Sequence, residues 1–308
     1  MEETAVYTEK QIRRYDPTQT TGLRNIFAKD MQRRFTEFAV VVKKSIYNND
    51  CFGLKDLQKN QMQPVSEEEY KYKTSAEKIA LFLLWAQVQI DRGILSIGGF
   101  QDPWANKYVY EAYRSGVIRA HQELIKAGYK IPTIEEMGGI DVVLQGISHA
   151  ERLELLYSGT FTNLKGVTDA MNAQISKILT QGFLNGEAPI VIARKLVATI
   201  NRTGMGELGI TDTLGRFIPA ARRAEMIART EIIRAHHLAT IQEYRNWGLE
   251  GIKVLAEWSS ARDGKVCDKC LAMDGKVFTL DEIESLIPFH PSCRCTTVPY
   301  IEELQKYK

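Results

Sequence analysis

The sequence predicts a mainly α-helical protein: an extended helical body followed by a small C-terminal α+β domain, a hairpin domain rich in cysteine and histidine. Three observations carry this reading. Apolar residues recur every three or four positions through the first two thirds of the 308 residues, the period of helices that bury one stripe. Beyond Gly251 the period falls to two, which is that of a strand. Four of the five cysteines lie between positions 267 and 295. The expected organisation is a helical N-terminal region over 1–159 and a second domain over 160–308, with a metal-site candidate subdomain at 252–300.

In the first helix, Phe27, Met31, Phe35, Phe38, Val42 and Ile46 form one stripe. A second helix is expected from an N-cap at Ser66, with Glu69 placed to complete a capping box. Its stripe runs through Tyr72, Ala76, Ile79, Leu83, Ala86 and Ile90, and Gly93 stops it. A third starts at Asp102-Pro103, an N-cap followed by a residue that needs no N–H there, and ends near Gly128. Shorter helices are expected over 140–157 and 162–184; the latter carries Leu164, Val167, Met171, Ile175 and Ile178 and stops at Asn185-Gly186. Such stripes must pack on one another, which makes a helical body. Residues 201–217 hold Gly204, Gly206, Gly209 and Gly215 without lasting periodicity and read as a loop. They lack both the strand–Gly-x-Gly-x-x-Gly–helix and the Gly-Lys-Ser/Thr signatures of phosphate-binding loops.

A long helix follows from Ala220 to Asn246, with Trp247-Gly248 at its end. Ala221, Ala224, Ala228, Ile232, Ala235 and Ala239 make a stripe of mostly small side chains, which lets another helix approach closely. Arg222, Arg223, Arg229, Arg234 and Arg245 share the remaining surface with Glu225, Glu231 and Glu243. This is the pattern of a solvated, salt-bridged face, and also the place where a partner or nucleic acid would be met. Arg222, Arg223, Arg229 and Arg234 are the nucleic-acid-binding candidates. In the strand, Ile252, Val254, Ala256 and Trp258 alternate with Lys253, Leu255 and Glu257. Asp-Gly-Lys-Val then occurs twice, at 263–266 and 274–277, and Asp-Gly favours hairpin turns. A short helix over 279–287 and a last strand from Arg294 to Pro299 complete the domain.

Bulk properties narrow the function classes. The chain is 44% hydrophobic and 25% charged, as in soluble globular proteins. Its opening, MEETAVYTEK, has neither the basic patch nor the apolar run of a secretory signal. The apolar runs at 38–42 and 79–85 are too short to span a bilayer, so no membrane partner is expected. Forty basic against 38 acidic residues leave a formal charge of +2, which gives no broad electrostatic footprint for nucleic acid but leaves a local patch open.

Cys267-x-x-Cys270 has the form of half a structural zinc site, and His290-Pro291-Ser292-Cys293-Arg294-Cys295 supplies the other half. Zinc takes four sulfur or imidazole ligands, and this cluster offers five. The expected set is Cys267, Cys270, His290 and one of Cys293 and Cys295, with Cys295 preferred; four cysteines are the competing set. Reduced, partly buried thiols beside an ordinary histidine are the plain alternative. An odd cysteine count, with Cys51 alone, suits a metal better than a disulfide framework. Catalysis finds little support. Glu257 and Asp268 are available near the cluster but unremarkable, and no HExxH or Gly-x-Ser-x-Gly accompanies His149, His236 or His237, which read as core or surface histidines. Thr230-Glu231 stands near Arg234, where a local ion pair is natural. Residues 252–308 contain eight Lys/Arg and nine Asp/Glu, which argues against a zinc-stabilised nucleic-acid-binding domain.

Ala228-Arg229-Thr230-Glu231, the strand ending in Trp258, Asp263-Gly-Lys-Val-Cys267-x-x-Cys270, Asp274-Gly275 and above all His290-Pro-Ser-Cys-Arg-Cys295 resemble, in order and separation, the C-terminal domain of the Mu F-like phage head morphogenesis family. The resemblance covers roughly residues 160 to 300, and the overall length and helical first half are similar to a minor head protein of a tailed siphophage. It implies a virion protein without enzymatic activity. Such a protein would bind the portal oligomer in the host cytoplasm during assembly and would lie inside the head near the portal. Packaged double-stranded DNA, scaffold and major capsid protein would be further partners, and retention or ejection of the DNA would be its role.

Overall fold

The structure, a computed structural model, describes residues 16–49, 51–52, 75–96, 103–201, 210–211, 217–218, 220–249, 254–262 and 266–300. Two compact units partition the chain: residues 28–104 with 161–226, and residues 1–27 with 105–160 and 227–308.

Among the described residues, the unit of 28–104 and 161–226 is helical apart from one short ladder. Helix α1 (Thr21–Lys43) starts where Asp16 accepts the Thr21 N–H at 2.9 Å, and it runs on into a π-turn, Lys44–Asn48. Its predicted stripe is buried throughout, with Met31, Phe35 and Val42 at 0% exposure. Helix α2 (Ser75–Ile90) continues as a π-turn to Leu95. The expected N-cap at Ser66, with Glu69 and Tyr72, lies outside the described residues. The α2 stripe departs from expectation: Ala76 is exposed, while Phe82, Ala86 and Ile90 are the buried positions. The reason is that α2 is apolar nearly all round, so periodicity could not choose its inward side. Phe52 fixes that side, lying 5.6 Å from the Phe82 ring and edge-on to Phe183 at 4.9 Å.

One helix, α5 (Ile147–Leu184), follows α3 (Asn106–Lys126) and the short α4 (Ile140–Leu144). It replaces the two helices expected over 140–157 and 162–184, and position 160 falls within it. Gly159 has open space around it, and a glycine inside a helix costs only about 1 kcal/mol, too little to break a helix packed along its length. Helix α6 (Pro189–Ile200) was not foreseen; Pro189 occupies its first turn, where no N–H is required, and Ile192, Leu196 and Ile200 are buried. Within 201–217, Ile210–Thr211 (β1) pairs antiparallel with Phe217–Ile218 (β2), and the glycines expected to make a loop lie outside the described residues.

The other unit is organised by α3 and by α7 (Ala220–Leu249), which reaches into it from residue 227. The two helices meet at Gly116: a Cβ there would stand 2.4 Å from the His236 carbonyl oxygen and 2.8 Å from the Ala239 Cβ. This is the close approach that the small-residue stripe of α7 predicts, and Ala228, Ile232, Ala235 and Ala239 are all at 0% exposure. Against this pair lies a three-stranded antiparallel sheet in the order β4–β3–β5, made of Val277–Phe278, Leu255–Ser259 and Thr296–Tyr300. Trp258 pairs with Thr297, and Ala256 with Pro299. Arg119 of α3 holds the start of β5 through the Thr296 hydroxyl at 2.9 Å. The chain between β3 and β4 is longer than a hairpin turn: it carries α8 (Asp268–Leu271) before Asp274-Gly275 turns the chain into β4. Helix α9 (Leu280–Glu284) begins with a complete capping box between Thr279 and Glu282. The molecule is thus mainly helical and ends in a small α+β element.

Candidate metal centre

Two turns bring the donors together. Cys267 is the N-cap of α8, and its sulfur accepts the Cys270 backbone N–H at 3.4 Å, which folds the Cys-x-x-Cys pair onto one side of a tight turn. The second turn is His290–Cys293, closed by the Cys293 N–H to the His290 carbonyl at 3.0 Å, with Ser292 in the left-handed region at φ 60. Helix α7 holds this turn in place: Thr230 Oγ1 accepts the Ser292 N–H at 3.0 Å. Thr230 therefore serves the site as a brace. Its neighbour Glu231 is buried and lies 3.5 Å from Arg234, the local pair expected from their spacing. Asp274 braces the first turn from the other side, accepting from the Ser260 N–H at 2.7 Å and from Arg262 at 2.8 Å.

Two groups of donors form, Cys267–Cys270–His290 and Cys270–Cys293–Cys295, each with all ligand atoms within 4.8 Å and Cys270 common to both. The His290 Nε2 lies 3.4 Å from the Cys267 sulfur and 3.2 Å from that of Cys270, and the Cys270 and Cys293 sulfurs are 4.0 Å apart. A tetrahedral zinc with bonds of about 2.3 Å to sulfur and about 2.0 Å to nitrogen separates its ligand atoms by roughly 3.5 to 3.8 Å. The spacings within each group bracket that range, whereas no four of the five donors lie within 4.8 Å of one another. The histidine is also correctly presented. Its Nδ1 lies 2.9 Å from the Pro291 carbonyl, which can only accept, so the proton sits on Nδ1 and the Nε2 lone pair faces the sulfurs. The donors are sulfur and imidazole alone; Glu257 and Asp268 belong to neither group. These residues can coordinate a metal ion, and their chemistry is that of a structural zinc site.

The thiols differ in protonation. Cys267 is held below the usual thiol range, first by the Cys270 N–H. Burial, with the nearby Cys293, drives Cys270 up to about 12. Cys293 is held low by the Cys295 thiol, which donates to it, and Cys295 is correspondingly pushed up. None of the four is in a disulfide, and neither is the exposed Cys51.

The remaining candidates are dispersed along α7. Arg222 is exposed and Arg223 half-buried; Arg229 donates to Asn25 at 2.8 Å, and Arg234 faces Glu231. His236 and His237 are fully buried, and the His237 Nε2 donates to the Ile283 carbonyl at 3.1 Å, tying α9 to α7. Sequence reasoning missed a further cluster: the buried Glu243 lies between His121 at 2.8 Å and His149 at 3.4 Å. Their separation along the chain left no local pattern to find.

Comparison with known families matches residues 173–298 to the family described as Phage Mu protein F like protein. That segment, over which the chain is similar to this family, includes every donor of the metal centre and the brace at Thr230. No curated protein and no solved structure matches the chain. Among the described residues no helix is long and apolar enough to cross a membrane.

Proposed function

We propose that the protein is a minor head protein that docks on the portal oligomer during assembly, enters the head and supports retention or ejection of the packaged double-stranded DNA, without turnover chemistry. The observation that carries this reading is the Mu F-like segment with its complete donor set, which matches the expectation drawn from the HPxCRC and CxxC motifs. The length and the helical first half, similar to the portal-associated minor head protein of a tailed Bacillus siphophage, support the finer assignment. The Mu F-like domain is taken as 160–308, with the metal subdomain at 252–300. A docking face is also available. The outward side of α2 carries Ala76, Ala80, Leu81, Leu84 and Val88, with Leu84 67% exposed, where a solvated helix would carry charge. The zinc ligands in this reading are Cys267, Cys270, His290 and one of Cys293 and Cys295, both of which are grouped with Cys270.

Contact with DNA would be weak and sequence-independent, through phosphates and the arginines of α7, with Arg222 the most accessible of Arg222, Arg223, Arg229 and Arg234. Scaffold or major capsid protein would be neighbours in the assembling head. The test is co-expression with the portal protein and purification of the portal oligomer at moderate salt, with and without nuclease. The protein should remain bound in both cases, and Leu84→Glu should release it without unfolding it. A portal that emerges without this protein, from cells in which both are soluble and from assembled heads alike, overturns the reading and leaves the zinc-stabilised nucleic-acid-binding alternative.

A further inference from the structure

His121, on α3 and nearly fully buried, is placed between two groups that accept hydrogen bonds. Its Nε2 lies 2.8 Å from the Pro132 carbonyl oxygen, and its Nδ1 lies 2.8 Å from Glu243 Oε1. A carbonyl can only accept, so Nε2 carries a hydrogen. Glu243 Oε1 already accepts the Trp247 indole N–H at 2.6 Å, so the proton between Glu243 and His121 belongs on Nδ1. Both ring nitrogens are therefore donors, and His121 is an imidazolium.

The Pro132 carbonyl belongs to a turn whose ends are set by glycines. Gly128 has φ 93, and Gly138 and Gly139 have φ 93 and 96, conformations that suit glycine and little else. Inside the turn the polar groups satisfy one another: Thr133 and Glu136 exchange hydrogen bonds at 2.7 and 3.2 Å, and the Gly139 N–H reaches the Ile134 carbonyl at 2.8 Å. Tyr129 and Ile131 pack against the hydrophobic core and anchor the start of the turn, so the part that the His121 contact ties down is 132–139. The turn also walls two cavities of about 330 Å3 each: Met137 lines one with Glu243 and His149, and Thr133, Ile134 and Glu135 line the other with His121.

We propose that the turn at 132–139 is a lid over these cavities, latched by the doubly protonated His121 and released when that proton is lost. The neutral ring has one N–H. It stays on Nδ1, where the partner is a carboxylate and the hydrogen bond is the stronger, so the Nε2 lone pair then faces the Pro132 oxygen and the tie to the turn is broken. The charged and titratable groups facing His121 agree with this. Glu243 faces it from α7, Glu135 from the turn itself, and His149 of α5 approaches only the far oxygen of Glu243. Burial alone would push His121 down, but Glu243 and the Pro132 carbonyl outweigh it and hold the group above the ordinary histidine value. The sign follows: the latch is closed below the ordinary histidine pKa and is lost as pH rises through the raised one.

The test uses the full chain. Nitrogen-detected NMR of the imidazoles should find both His121 nitrogens protonated at pH 6 and only Nδ1 protonated in alkaline solution. Hydrogen exchange, corrected for the intrinsic pH dependence, should show protection at 132–139 falling roughly tenfold across that titration, the loss of one charge-assisted hydrogen bond, while α3 and α7 keep theirs. His121→Gln, which cannot serve both acceptors as a donor in the same geometry, should leave the turn open at both pH values. A neutral His121 at pH 6, or a turn whose protection ignores the titration in the wild type, overturns the proposal whether or not the variant folds.

Discussion

Replacing Gly116 by alanine introduces one methyl group at a helix crossing that has no room for it. The new Cβ would lie 2.4 Å from the His236 carbonyl oxygen and 2.8 Å from the Ala239 Cβ, against the 3.4 to 4 Å of ordinary contact. The obstructing atoms are backbone and an alanine methyl, so no rotamer change relieves the clash; α3 and α7 must part by about 1 Å at this point, in proportion to that shortfall. Overpacking of this kind costs about 1–3 kcal/mol, and a rigid neighbour puts it at the upper end. Alanine returns about 1 kcal/mol of helix propensity, leaving a net loss of about 2 kcal/mol. Two substitutions calibrate the measurement. Gly159→Ala and Gly166→Ala meet nothing within 4 Å, so each should gain up to about 1 kcal/mol from propensity alone. Gly182→Ala would press on Ile192 Cγ1 at 2.7 Å, a buried, β-branched side chain rather than backbone, and should also lose stability, by less than Gly116→Ala. Chemical unfolding followed by far-UV circular dichroism ranks the four. A Gly116→Ala protein as stable as wild type, alongside stabilised Gly159→Ala, would show that the two helices are not in tight contact.

Three further outcomes are expected. Protein purified without chelator should contain one zinc per chain by elemental analysis, and Cys270→Ser should lose it, with hydrogen exchange rising over 254–300 and little changed in α3 and α7. Because burial holds the His237 pKa down to about 4 from an ordinary 6.5, the unfolded chain binds the extra proton first; the His237 contribution to stability should be fully present above pH 6.5 and fall by about 3 kcal/mol as pH drops toward 4, a loss that His237→Gln should reduce in an acid-unfolding series. DNA retardation should weaken steeply and without sequence preference from 50 to 200 mM salt, as phosphate contacts require at about these concentrations, and Arg222→Ala should lower the slope.

What was legible in the sequence follows from the kind of signal each element left. The α1 stripe and the small-residue stripe of α7 were readable because each has one apolar side and one polar side. The inward face of α2 was not, because Leu81, Leu84 and Val88 are apolar yet exposed, and only the packing of Phe82 on Phe52 shows which side is core. The unbroken α5 was hidden by Gly159, whose local cost is outweighed by tertiary packing. At the metal centre the five donors were legible from type and spacing. Their braces were not: Thr230, far from Ser292 in sequence, contributes a single hydroxyl, and His237 reaches a backbone carbonyl that has no sequence signature. The His121–Glu243 pair joins helices that are distant along the chain, and nothing local announces it.

The thiols themselves give the electrostatic reason for a cation at this centre. Cys270, Cys293 and Cys295 are each about 1% exposed and belong to the hydrophobic cluster that contains Trp258 and Ile283. Sulfurs this close cannot ionise together without compensation, since each thiolate raises the cost of the next and burial raises the cost of all. The protein without metal meets this by sharing a proton: Cys295 donates to Cys293, which is held low while Cys270 and Cys295 are driven up. A divalent ion replaces those protons and turns mutual repulsion into ligation. Metal binding should therefore release protons and stiffen both turns, yet losing the metal should not detach the lobe. Arg119 still holds Thr296, Thr230 still holds Ser292, and Arg152 with Arg245 still grips Glu284, which those two guanidinium groups keep ionised down to about pH 2. A bound metal would thus order a small element that the helices already carry, which is why a ligand substitution should loosen 254–300 locally and leave α2 intact.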